Sequence, residues 1–210
     1  KYGYNFAGLY LLFIPWHFPL HNNKDIVGAS QEAEKAFQQE YPAIYNHLLQ
    51  YKTQLSSRNK AETGIRYEWY ALQRFGSNYM DDFSRQKIIW TDIACKPSFV
   101  FSDKEIYFLN TAYMLSGLHL YYLLHILNSK LITFYFTHTA TGLGNKGLRL
   151  FKIFVEKIPI PTYVNSDIQR NLDSYQPVIN LQSEQEKINK WVNQLYHLNT
   201  EEIEYINTIS

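Results

Sequence analysis

Residues 123–161, LLHILNSKLITFYFTHTATGLGNKGLRLFKIFVEKIPIP, constrain the fold of this chain more than any other stretch. An apolar helix ends in Leu-Asn-Ser-Lys, a glycine-broken basic loop follows, and the segment then reads as a strand that stops at Ile-Pro-Ile-Pro. The helix needs a face to cover, and proline cannot continue a hydrogen-bonded ladder. The order of parts is a helix, a loop and a strand. Leu120, Leu123, Leu124, Leu127, Leu131 and Phe134 keep helical spacing, with Asn128 and Ser129 as an interruption between two helices or between a helix and its extension.

The rest of the chain adds strands and helices. Residues 8–15 (GLYLLFIP) read as a short buried strand, bounded by glycine and proline. Ser30 can cap a helix through Phe37, and Pro42 suits the first position of a second. In that second helix Ile44, Leu48, Tyr51 and Leu55 form one apolar face, expected to pack on the sheet. Residues 56–84 alternate charges with aromatics and read as irregular, with a helical turn at 67–72. Residues 87–94 (KIIWTDIA) and 99–101 read as strands from their β-branched and aromatic content, with Lys96-Pro97 between them, and 105–109 and 112–115 as two more. The expected fold class is α+β: a small mixed β-sheet domain over residues 1–161 with packed helices, then a C-terminal helical segment over 162–210. In that segment Ile188, Trp191, Val192 and Leu195 form a stripe that must meet either the domain or a missing neighbour. Asn199 or Thr200 caps a last short helix.

At 210 residues, 46% hydrophobic and 17% aromatic, the chain can bury a sizeable core, and its 18 tyrosines must place polar tips in or beside it. The one cysteine, Cys95, excludes an internal disulfide and a thiolate metal site. It reads as a small buried hydrophobe in a protein of the reducing cytoplasm. His119 and His125 read as packed or surface side chains rather than metal ligands. The apolar run at 7–15 is too short for a bilayer, which needs about 20 residues, and only Lys1 precedes it as a basic residue. No membrane is expected. Opening at Lys1 rather than Met, the chain reads as a piece of a longer polypeptide.

Charge is segregated although the formal net charge is only +1. Residues 1–51 hold three Lys+Arg against four Asp+Glu, residues 52–157 fourteen against eight, and residues 158–210 three against seven. A middle at +6 and a tail at −4 suit one phosphate-facing surface, where lysine and arginine release condensed counterions.

Two segments carry candidate site residues. In 139–149 (TATGLGNKGLR) the glycines permit close approaches, and Asn145, Lys146 and Arg149 add donors with reach. Lysine holds a phosphate as a point charge, whereas arginine and asparagine can grip guanine and adenine with two hydrogen bonds each. A solvated hairpin loop with glycine turns is the plainer reading of the same residues. In 66–74 (RYEWYALQR), Arg66, Tyr67 and Arg74 could meet nucleic acid, while Trp69 and Tyr70 read as buried anchors. Lys87, Lys96 and Lys152 are candidate phosphate contacts. Gly142, Gly144 and Gly147 match the dinucleotide fingerprint in spacing, but 148–155 reads as a strand where a helix is required. No Walker loop, Pro-Pro dipeptide, Gly-x-Ser-x-Gly elbow or His-Glu-x-x-His is present, so no catalytic constellation can be assembled.

These parts together resemble the TaqI-like C-terminal specificity domain, the target-recognition module of adenine-specific DNA methyltransferases and of fused type IIG restriction-modification enzymes. Residues 41–74 resemble the start of that region, Lys87-Ile-Ile-Trp and Lys96-Pro97-Ser98-Phe99 its central strands, and Leu123 to Lys130 its helix, while residues 198–206 are similar to the chain ends of such proteins. The resemblance implies double-stranded DNA as the partner, read by Thr141, Asn145, Lys146 and Arg149. It also implies a methyltransferase domain elsewhere in the same polypeptide, which would bind S-adenosylmethionine and flip the adenine, with Mg2+ for any cleavage. No cofactor is expected in this chain itself. A different class of function, a protein-interaction module docking a catalytic partner, is motivated by the Trp191 stripe.

Overall fold

The structure is a computed structural model that describes residues 3, 5–58, 67–74, 76–108, 110–142, 147–176 and 182–209. The chain divides into two compact units, residues 8–80 and residues 1–7 with 81–210.

The unit of residues 8–80 is helical and aromatic. Helix α1 (Gln31–Glu40) starts where Ser30 Oγ accepts from the Ala33 amide at 3.1 Å, and α2 (Pro42–Leu49) takes Pro42 in its first turn. Phe37, Tyr45, Tyr70, Ala71 and Ile14 form the core, with the Phe37 and Tyr70 rings 4.6 Å apart. Ile44 and Leu48 pack against this cluster, so the face of α2 meets aromatic side chains rather than the expected sheet. That face also ends early. At Tyr51 the backbone leaves helical geometry, and α3 (Lys52–Ser56) is a separate short helix.

The strand expected at 8–15 does not form. Leu9 is 78% and Tyr10 90% exposed; Phe13 is half-buried and the first fully buried residue is Ile14, whose carbonyl accepts from the Leu72 amide at 2.9 Å. A strand exists only through a partner ladder, and no other strand lies among the described residues of this unit. The turn near 67–72 is a single Ala71-to-Glu68 backbone bond, not a helix.

The other unit holds two three-stranded sheets. Strands β1 (Lys87–Thr91), β3 (Val100–Ser102) and β4 (Ala112–Ser116) form the first in the order β3-β1-β4; β2 (Ile93–Ala94), β5 (Thr141–Gly142) and β6 (Leu148–Arg149) form the second in the order β2-β6-β5. The α+β class holds, but among the described residues every pairing is antiparallel rather than mixed. Parallel pairs need long crossover connections, and β1, β2, β3 and β4 are joined by links too short to provide them. Residues 105–108 form no strand, and 148–155 is a two-residue strand followed by the short helix α6 (Lys152–Val155).

Helices α4 (Leu120–Leu127) and α5 (Lys130–Thr139) form the apolar center of this unit, and the Asn-Ser pair between them has two separate tasks. Asn128 Oδ1 accepts from the Phe99 amide at 3.0 Å while its Nδ2 donates to the Phe99 carbonyl at 2.8 Å, fixing the approach to β3. Ser129 Oγ accepts from the Ile132 amide and caps α5. Beyond α7 (Asp167–Ser174), the long helix α8 (Gln182–Leu195) buries Ile188 and Val192 completely in the same core, with Trp191 and Leu195 packed against it. The stripe therefore has its partner within the chain. Helix α9 (Thr200–Ile209) begins at Asn199, whose side chain accepts from the Glu202 amide at 3.0 Å.

The Ile-Pro-Ile-Pro segment explains part of the tyrosine content. Ile158 and Ile160 turn toward the core at alternate positions. The carbonyls of Lys157, Pro159 and Pro161 accept from the hydroxyls of Tyr135, Tyr196 and Tyr122 at 3.3, 2.9 and 2.8 Å. Proline has no amide to pair in a sheet, and tyrosine tips supply the donors instead.

Candidate nucleic-acid interface

The second sheet presents the candidate surface, and its register decides what faces outward. Arg149 is the direct partner of Ile93 on one side and of Thr141 on the other; Leu148 is likewise opposite Ala94 and Gly142. Directly opposed residues share a face, and successive residues alternate. Ala94 and Leu148 pack on the core, so the Ile93–Arg149 rung lies on the other face.

The strand carrying Arg149 is firmly held. The Leu150 amide donates to the Asp92 carbonyl at 2.7 Å, and Trp90 Nε1 donates to the Leu150 carbonyl at 2.8 Å. The Arg149 guanidinium lies 5.1 Å from the Phe151 ring center, a cation–π contact. No ion pair engages it among the described residues. Gly147 shows why the loop needs glycine: with φ at +102°, a side chain there would have its first carbon 2.4 Å from the Ala94 carbonyl oxygen. The close approach is to the protein's own backbone. Gly142, by contrast, has open space around it.

The other predicted residues are distributed unevenly. Thr141 sits on β5 opposite Arg149, and Lys96 is exposed just beyond β2. Lys152 is exposed in α6, with Glu156 3.7 Å away across one helical turn. Asn145, Lys146 and Arg66 lie outside the described residues. Arg74 is exposed in the unit of residues 8–80, where Tyr67 is half-buried with its ring stacked on Trp16 at 5.1 Å. Tyr70 is buried as expected, whereas Trp69 is only half-buried.

Two expectations need correction. Lys87 is no phosphate contact: it is 0% exposed, and its ammonium donates to the carbonyls of Phe83, Arg85 and Lys104, each at 2.8 Å. Burial holds its pKa below the usual lysine value despite Asp103, Glu105 and Asp82 nearby. Cys95 is exposed rather than buried, because β2 ends at Ala94 and the thiol falls in the turn beyond it.

Sequence reasoning missed Glu68, inside the Arg-Tyr-Glu-Trp-Tyr motif. Its buried carboxylate accepts from the backbone amides of His17 and Ser30 at 2.7 and 2.8 Å and meets His17 Nδ1 at 2.9 Å, tying three segments together. The motif's conspicuous aromatics draw attention away from the residue that organizes it. Among the described residues no cluster of His, Cys, Asp and Glu could hold a metal ion, and no helix is long and apolar enough to cross a membrane.

The fold and this surface define a small α+β module that displays side chains on one sheet face. The model of the TaqI-like C-terminal specificity domain matches residues 29–160, well over half of the sequence, and the chain belongs to that family. Membership gives the coarse function: DNA target recognition in restriction-modification enzymes, in association with a catalytic domain. The match draws on both units and stops before α7. No curated protein matches the chain significantly.

Proposed function

We propose that the chain reads a specific duplex DNA sequence and positions it for an adenine-N6 methyltransferase domain of the same polypeptide, as in a type IIG restriction-modification enzyme. S-adenosylmethionine and Mg2+ then belong to that catalytic portion, and the compartment is the cytoplasm. The observation that carries the reading is Arg149. Its guanidinium stands on the outward face of a pinned strand, backed by an aromatic ring. An arginine so placed can make the two-pronged contact to guanine O6 and N7 in the major groove. Asn145 and Lys146 would extend the contact to adenine and phosphate, with Thr141 beside them, Lys96 and Lys152 on the backbone, and Arg66, Tyr67 and Arg74 as a second contact segment.

Competition binding on duplexes tests this. Arg149→Ala should cost about 1–3 kcal/mol on the preferred duplex and relax preference at one guanine, whereas Lys146→Ala should weaken all duplexes alike and reduce the salt slope by about 1. Unchanged affinity and salt slope in both variants would overturn the assignment. The interaction-module reading loses its motive, because the Trp191 stripe packs inside the chain's own core.

A further inference from the structure

Ile93 is the one member of the outward rung that charge and motif reasoning do not explain. It lies on β2, at the edge of the second sheet, and is 44% exposed. Edge strands usually carry charge or proline to discourage pairing, and an isoleucine there leaves apolar surface in water. Its direct neighbor across the ladder is Arg149.

We propose that Ile93 is a specificity-determining residue that contacts the 5-methyl group of a thymine next to the guanine read by Arg149. The proposal rests on the DNA-reading function given above and assigns that surface a second base. Two spacings support it. Opposed residues of antiparallel strands have Cβ atoms about 4.5–5.5 Å apart, and stacked bases along one strand are about 3.4 Å apart. The two spacings are close enough for an arginine on one base pair to bring its cross-strand neighbor within reach of the adjacent pair. In the major groove, the feature that distinguishes thymine to an aliphatic side chain is its methyl group, and isoleucine has only methyl and methylene surface to offer. A major groove admits a two-stranded β-ribbon as well as a helix, and the antiparallel β2–β6 pair carries both Ile93 and Arg149, with β5 on the far side of β6.

The test selects bound sequences from a random duplex library with the full 210-residue chain at low salt, comparing wild type with Arg149→Ala, Ile93→Ala and, as an exposed apolar control off the rung, Val164→Ala. Wild type and the control should prefer a guanine followed or preceded by a thymine. Arg149→Ala should lose the guanine and Ile93→Ala the thymine, each with the other preference retained. Replacing that thymine by deoxyuridine removes only the methyl group; it should weaken wild type about fourfold, the value of one buried methyl, and leave Ile93→Ala unchanged. If Arg149→Ala loses its guanine while Ile93→Ala keeps every preference, or if deoxyuridine weakens both proteins equally, the Ile93 assignment is wrong and the Arg149 reading stands. If wild type shows no preference, or Arg149→Ala changes none, the DNA-reading surface itself is misplaced and the Ile93 assignment falls with it.

Discussion

Asn128→Ala probes the joint on which the larger unit depends. In the native protein both amide atoms of Asn128 bond to one residue, accepting from the Phe99 N–H and donating to the Phe99 C=O, and both residues are fully buried. Alanine removes both partners and leaves an amide and a carbonyl in the interior. Each such orphan costs about 1–3 kcal/mol. Some relaxation at the site offsets part of that, so the variant should lose about 2–5 kcal/mol of stability, a large share of the 5–15 kcal/mol typical of a domain. Asn128→Asp restores the acceptor but sets a carboxylate against the Phe99 carbonyl, and should be no better. Ser129→Ala removes the helix cap and the hydroxyl's bond to the Ile126 carbonyl, and should cost about 1–3 kcal/mol. Equilibrium unfolding in guanidinium chloride measures all three, with the denaturant slope checked for constancy. A loss below about 0.5 kcal/mol for Asn128→Ala at unchanged slope would refute the claim that this pair joins helix α4 to the sheet.

Two further outcomes follow from buried groups. Lys87→Met strips three carbonyls of their common donor and should destabilize the protein by at least about 2 kcal/mol, while the salt slope of DNA binding by the folded variant stays unchanged; a shallower slope would return Lys87 to the DNA surface. Burial also pushes the pKa of His125 down to about 4, although Asp173 acts in the opposite direction. The unfolded chain protonates this group near pH 6.5, so between about 6.5 and 4 the unfolded state holds more protons and stability falls as pH falls, by up to about 3 kcal/mol. Stability is complete above that window. His125→Gln should flatten the acid limb of a pH titration of unfolding free energy, and an unaltered limb would contradict the assignment.

The sequence made the local signals legible. Ser30, Pro42 and Asn199 mark helix starts because capping depends on a few adjacent residues, and Asn128-Ser129 marks the break at which Ser129 caps the next helix. The α8 stripe likewise identifies its buried face by spacing alone. What failed depends on distant partners. Residues 8–15 have strand composition but no ladder to join, and the Lys87 ammonium is claimed by carbonyls from three positions that no pattern connects. Glu68 and the tyrosine bonds to Lys157, Pro159 and Pro161 were hidden for the same reason. At the candidate surface, the glycine-rich basic loop was visible, but the pairing of Arg149 with Ile93 and Thr141 appears only once the register is known.

The central claim is that the outward rung of the second sheet reads DNA sequence. Its most direct test is the ratio of affinities of the full chain for its selected duplex and for a scrambled duplex of the same length, for wild type and Arg149→Ala at matched salt. The account predicts a clear preference in wild type and a ratio reduced about tenfold or more in the variant, the equivalent of one lost arginine–guanine contact. Equal ratios in the two proteins would contradict it.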